Sequence, residues 1–351
     1  MIQRASYGTA GYIKAGDLIP RLPPYTWMWG GRGIGKTYGV LEFVRYTKPT
    51  KFLLLRRLQT QIDLLKKALH NPFNPIDKNN GQHTAIRADK YGATFYNGAV
   101  NSDGTIEPEG APVGVAYALA TFHNIRGLDL SDIDIVIFDE FIPEPHERPI
   151  KNEFAAWENV METVGRNREL EGRPPVQFIG LSNANELANP YFFGLGVIRV
   201  VDNMIKKGRE VWTDQQRGLA LINIRQSPIS AQKQNTALYK CVGAGDFAAM
   251  SLGNEFAAAT CSRQGTIPLQ ELRPCAHVGE LCIYRHKARP LWYVSDHVSG
   301  KPLVYRADEM GLAKFRREWA AVRDAAIMGS IIYQDVLCEI ILKKYLRIKN
   351  D

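Results

Sequence analysis

GGRGIGKT, at Gly30–Thr37, and IDIVIFDE, at Ile133–Glu140, decide how this chain folds. The first string fits the pattern G-x-x-x-x-G-K-[ST]. It follows a short apolar run, Tyr25–Trp29, and precedes a helix-like stretch, Tyr38–Tyr46. Strand, glycine-rich turn and helix form the context in which that pattern cradles phosphate. The second string is an apolar strand ending in two acids, Asp139 and Glu140. Together they predict a nucleoside triphosphate site, in which one half grips phosphate and the other holds Mg²⁺ and a water.

Each position has a physical role. Gly30, Gly33 and Gly35 let the loop turn back, so that the N–H groups of Gly30, Gly31, Arg32, Gly33, Ile34 and Gly35 can face phosphate oxygens. The helix starting near Lys36 adds its positive N-terminal end. Lys36 is expected to bridge the β- and γ-phosphates, and the Thr37 hydroxyl to ligate Mg²⁺. Asp139, at the end of its strand, is expected to hold the same ion, directly or through water. Glu140 is placed to orient and deprotonate the attacking water. Ser182 and Asn183 follow the next apolar strand, Val176–Leu181, where a small polar residue can sense the γ-phosphate. The same Ser-Asn-Ala-Asn is also good N-cap and turn sequence. RNRE, at Arg166–Glu169, ends a helical stretch; it offers either a transition-state arginine or a solvated helix end.

Around this site the chain alternates strands and helices, which predicts α/β with a mostly parallel core. Phe52–Leu55 reads as an apolar strand ending in Arg56-Arg57, and Asn152–Val164 as a helix. Three strand-like pieces, His83–Ala88, Ala93–Tyr96 and Val113–Leu119, predict an antiparallel insertion. The pattern weakens from Lys206 to Gly243. The expected organisation is an ATPase domain over 1–211, a linker over 212–243 and a smaller α+β domain over 244–351. In that last domain, Leu281–Tyr284 and Trp292–Val294 read as paired strands, Pro302–Tyr305 as a third, and Leu312–Met328 and Ile332–Tyr345 as helices.

The 351 residues fit two domains, and 45% hydrophobic content supports real cores. Lys and Arg total 44 against 36 Asp and Glu, a formal charge of +8 that permits nucleic-acid binding without requiring it. The 5 cysteines are odd in number and include no CxxC, as expected of reduced thiols. Cys275, His277, Cys282 and His286 have ligand types that suit zinc, but their spacing matches no zinc pattern; buried strand residues account for them better. The N-terminus has no apolar signal region, and no run approaches the ~20 residues of a membrane span. The expected site of action is the cytoplasm, without a membrane.

GGRGIGKTYG, FDEFIPE, METVGRNRE, LSNANELANPYF and MSLGNEF occur in this order between Gly30 and Phe256. Arg32 lies four residues before Lys36, NIRG (Asn124–Gly127) precedes the acidic strand, and Ser182-Asn183 follows the next one. The set resembles the large-terminase-like DNA-packaging ATPases of tailed bacteriophages, and within them the encapsidation ATPases of φ29-like phages. That resemblance implies a homo-oligomeric ring, apparently of five subunits, beneath the portal vertex of an empty capsid in the host cytoplasm. In φ29 itself a packaging RNA holds the ring. With ATP and Mg²⁺ the ring would push double-stranded DNA inward. Carried over by position, Arg166 looks like an arginine finger acting in trans, Arg126 like a second trans-acting cation, and Arg168 like a weaker alternative to Arg166.

The C-terminal domain would resemble a degenerate RNase H-like nuclease fold. Of its carboxylates, only Asp296 follows a clear strand, and one acid is not a two-metal site. Nuclease activity is therefore not expected. Backbone contacts to DNA should be independent of sequence. Lys206, Lys207 and Arg209, and Lys343, Lys344, Arg347 and Lys349, are basic enough to make them, and equally suit a solvated surface. The competing hypotheses are another ring helicase or DNA translocase, a full terminase with a nuclease, and a nucleotide-binding switch. A mere switch has no need of Glu140.

Overall fold

A computed structural model describes the chain apart from residues 1–5, 10, 68–69, 126, 145–146, 226, 244–250, 253–255, 257–261 and 349–351. The chain divides into two compact units, 1–257 and 258–351. The first is built on one sheet of nine strands: β1 (Tyr25–Gly30), β2 (Phe52–Arg56), β3 (Thr84–Ala88), β4 (Gly92–Val100), β5 (Ile106–Ala118), β6 (Ile135–Asp139), β7 (Gln177–Ser182), β8 (Val211–Asp214) and β9 (Leu219–Ile224). Their order across the sheet is β3-β4-β5-β2-β6-β7-β1-β9-β8. From β5 to β9 every neighbouring pair is parallel. The strands β1, β2, β6 and β9 are apolar almost throughout because both of their faces are covered.

The expected antiparallel insertion is present as β3, β4 and β5. It is also part of the main sheet, since β5 runs parallel to β2 with Leu55 opposite Tyr117. The linker expected over residues 212–243 is corrected by the structure. Within it, β9 pairs along the whole of β1, from Tyr25↔Leu219 to Gly30↔Ile224, and all six of its residues are buried. The boundary also moves from 243 to 257. Ser251 accepts a hydrogen bond from the Arg32 N–H at 3.0 Å, and the Phe256 ring packs on Trp29 and Phe192. Ser251 and Phe256, beyond residue 243, are thus held by the first unit.

Parallel strands bring their C-terminal ends to one edge, where loops can surround a ligand. An aromatic group fixes that edge. The Trp27 ring lies 4.6 Å from Phe178, 4.8 Å from Phe141 and 4.9 Å from Tyr191, centre to centre. Phe141 follows Glu140 directly, so this packing anchors the chain just past the two acids.

The second unit has a mixed sheet, β13-β10-β11-β12-β14, of strands β10 (Leu272–Val278), β11 (Leu281–His286), β12 (Trp292–Ser295), β13 (Leu303–Tyr305) and β14 (Ile331–Tyr333). The expected β11–β12 pairing is present and antiparallel. The expected helix over Leu312–Met328 is two helices, Glu309–Glu318 and Ala320–Ile327, broken at Trp319. The helix expected from Ile332 begins at Val336, because Ile332 and Tyr333 are in β14. Cys282 and His286 are buried strand residues, as expected, and His286 Nδ1 accepts from the N–H groups of Ala288 and Arg289 in the following turn. Among the described residues no helix is long and apolar enough to cross a membrane.

Candidate nucleotide site

The loop Gly31–Gly35 leaves β1 and enters the helix Lys36–Glu42. Gly33 and Gly35 have φ of +66° and +90°, a region that costs side-chain-bearing residues about 1–2 kcal/mol. That backbone turns the loop around the helix N-terminus. Lys36 lies inside it, 8% exposed. Its ammonium donates to the carbonyls of Gly30 at 2.9 Å and Gly31 at 2.7 Å, and to Asn183 Oδ1 at 3.2 Å. Burial brings its pKa down from 10.5 to about 7; Asp139 works against that shift, and Lys233 and Arg32 add to it.

Across the loop, Thr37 Oγ1 donates to Asp139 Oδ1 at 2.9 Å. These residues lie far apart in sequence and meet because β1 and β6 end at the same edge. Their two oxygens have the hard donor chemistry that Mg²⁺ takes, with room left for phosphate and water ligands. The residues present therefore fit the ion.

Glu140 has φ of +61°, uncommon for a residue with a side chain, and its carboxyl is 53% exposed. The raised pKa of this acid has loss of hydration as its largest cause; Arg56 lowers it, and Asp139 raises it further. Strained backbone of this kind is found where chemistry needs a side chain aimed. Ser182 is buried, and its Oγ accepts the Ile142 N–H at 3.1 Å. Its neighbour Asn183 faces Lys36. Ser182 thus fixes the chain after Glu140, and Asn183 reaches Lys36.

Several contacts of the site were not anticipated. Arg56, at the end of β2, donates to Asp139 Oδ2 at 2.8 Å and to Glu140 Oε2 at 2.7 Å. Arg57 beside it is fully buried and grips Glu153 through Nε and Nη2 at 2.7 and 2.9 Å; it also pairs with Glu147. The buried Tyr191 hydroxyl donates to the same Glu153 at 2.8 Å. Arg32 pairs with Glu144, in the loop after Glu140. The signal for Arg56 and Arg57 was present: two cations closing an apolar strand at the ligand-binding edge of a parallel sheet. Lys233, whose ammonium donates to the Arg32 carbonyl at 2.6 Å, had no local signal.

Residues 21–262 match the family of the podovirus DNA encapsidation protein (Gp16). The chain belongs to that family. It is 29% identical over 234 residues to the DNA packaging protein of Bacillus phage phi29, an alignment covering 65% of this chain. The match spans 60% of the length of that curated relative. Its fold is shared with the bacteriophage Phi-29 viral genome packaging motor assembly, at a TM-score of 0.61 and 16% identity over 96% of this chain and 99% of that one. It is shared also with the Phi-28 gp11 DNA packaging motor, at 0.57 and 17% over 95% and 97%. The α/β fold and the family expected from the sequence are both borne out.

In the first unit, Arg166, Arg168, Lys206, Lys207 and Arg209 do not line this pocket. Arg166 closes the helix Glu153–Gly165 with φ of +39°; it is exposed and donates to the Leu128 carbonyl at 3.3 Å. Arg168 is buried instead, bonded to the Ile133 carbonyl at 2.6 Å and to Asp134 at 2.7 Å. It fastens the start of β6. Arg126 lies outside the described residues. Lys206 pairs with Asp202 at 2.7 Å, Lys207 is exposed, and Arg209 donates to the Val211 carbonyl at 2.7 Å. On the helix Val336–Leu346, Lys343 pairs with the buried Glu339 at 2.9 Å and Lys344 is exposed.

Proposed function

We propose that this chain hydrolyses ATP to drive double-stranded DNA into a preformed capsid. The observation that carries the ATPase reading is the Thr37–Asp139 hydrogen bond, which joins the phosphate loop to the acidic strand. Family membership supports the packaging role. Lys36 and the loop N–H groups would bind the phosphates. Thr37 and Asp139 would hold Mg²⁺, which when bound screens the phosphate charge and polarises the γ-phosphate. Glu140 would take a proton from the attacking water, its carboxyl held in register with Asp139 by Arg56.

Arg166 supports a shared site. Its side chain is exposed and bonded to the Leu128 carbonyl rather than to its own phosphate loop, so a second copy of the chain is the fitting place for it to act. Arg126 would act on the same neighbour. A ring of five such copies would work at the portal of the capsid in the host cytoplasm, where a packaging RNA is a candidate partner. Lys206, Lys207, Arg209, Lys343 and Lys344 remain the candidates for DNA backbone contacts. The second unit is proposed as a nuclease-like domain without cleavage activity.

The test is ATP turnover with and without double-stranded DNA, with Arg166→Ala protein mixed into wild type. DNA stimulation, and poisoning greater than the fraction of mutant added, are expected. Turnover indifferent to DNA and falling only in proportion would defeat the shared-site motor.

A further inference from the structure

We propose that Lys233 is a second phosphate-binding lysine of the site, contacting the terminal phosphate of a nucleoside triphosphate and so separating it from the diphosphate. This rests on the nucleotide reading above. Lys233 ends the short helix Pro228–Lys233, which follows β9 and is capped by Ser227, whose Oγ accepts the Ile229 N–H at 3.2 Å and donates to the Gly11 carbonyl at 3.1 Å. The helix is thereby fastened beside the loop, and Lys233 is aimed at it. Its ammonium lies 2.6 Å from the Arg32 carbonyl, and only 2.2 Å from where a side chain on Gly33 would begin. It therefore stands on the Arg32–Gly33 peptide.

The Arg32 guanidinium pairs with Glu144, four residues past Glu140, so Arg32 spans from the loop to the catalytic side. The phosphate nearest Asp139 and Glu140 must be the one attacked, which is the terminal one. Lys36, held by the Gly30 and Gly31 carbonyls, would bridge the β- and γ-phosphates, and Lys233 would add a second cation beside the Arg32–Gly33 peptide. Among the described residues no carboxylate pairs with Lys233. A half-buried ammonium held by one carbonyl is incompletely compensated, and an anionic oxygen would complete its shell. Partial burial also lowers its pKa, in keeping with a cation short of counter-charge. Gly33 then has a second function: any side chain there would displace the lysine.

The experiment is equilibrium binding of ATP and of ADP, each with Mg²⁺, to the full chain carrying Lys233→Met, Lys233→Gln or Lys233→Arg. Thermal melts check that each variant is folded. The Met and Gln variants are expected to lose about tenfold or more in ATP affinity relative to ADP, as when a charged hydrogen bond is removed. Lys233→Arg should retain most of the discrimination. If ATP and ADP weaken in the same ratio, Lys233 only shapes the loop and the proposal fails. It fails likewise if neither affinity changes. Wild-type protein binding neither nucleotide would overturn the nucleotide site itself, and this inference with it.

Discussion

ATP affinity should fall with rising pH, and Lys36 sets the size of the effect. Its free-protein pKa is about 7 because the loop removes its water. Binding requires the cation, and phosphate oxygens beside it would return its pKa toward the ordinary range. Above pH 7 the free protein must therefore take up a proton to bind. Each pH unit then weakens affinity by up to tenfold, roughly 50-fold between pH 7 and 9. Over that window phosphate is already ionised, its second pKa being about 6, so the nucleotide contributes little. The assay is titration of ATP with Mg²⁺ from pH 7 to 9, with calorimetry in two buffers of different ionisation heat. Uptake should approach one proton per ATP at pH 9. The stability of the free protein should trend the other way. With its pKa lowered from 10.5 to about 7, folded Lys36 binds fewer protons than the unfolded chain between these values, so its contribution to stability rises with pH there. A flat affinity with no proton uptake would refute the reasoning and mean that Asp139 and the two carbonyls already hold Lys36 charged.

Two further substitutions probe the acids and the network behind them. Glu140→Gln should keep ATP affinity within a few-fold but lower turnover by about 10²–10⁴, the usual contribution of a general base. Single-turnover measurement of the variant against wild type checks this, and unchanged hydrolysis would place the base elsewhere. Arg57→Leu should cost about 3–5 kcal/mol of stability in chemical denaturation, because it leaves the buried Glu153 without its counter-charge and removes the cation beside Glu147. A loss below about 1 kcal/mol would mean that the carboxylates find water or a proton instead.

Much of the site was legible because its chemistry is local. Gly33 and Gly35 must turn the chain within a few residues, Lys36 must follow them, and Asp139 must end an apolar strand; spacing alone conveys this. The strands β6 and β7 were legible because a strand covered on both faces has few polar residues. The run Leu219–Ile224 carries the same apolar signature, yet polar and charged neighbours on both sides obscured it, and the stretch was expected to be a linker. Arg56 and Arg57 stood in plain view at the end of β2. Their partners did not, since Glu140, Glu147 and Glu153 lie on other elements.

The sequence by itself determined that a glycine-rich loop and an acidic strand exist, and which residues of each line one pocket. Backbone turns and strand ends obey short-range rules of sterics and hydrophobic period, which are written along the chain. Only the tertiary structure decided which side chains close the site from a distance. The order in which parallel strands pair places β2 against β6 and β9 against β1. That order brings Arg56 onto the two acids and carries the segment after β9, with Lys233, to the lip of the loop. Pairing order follows from the burial of whole faces, a sum over many residues, and no single stretch of sequence contains it.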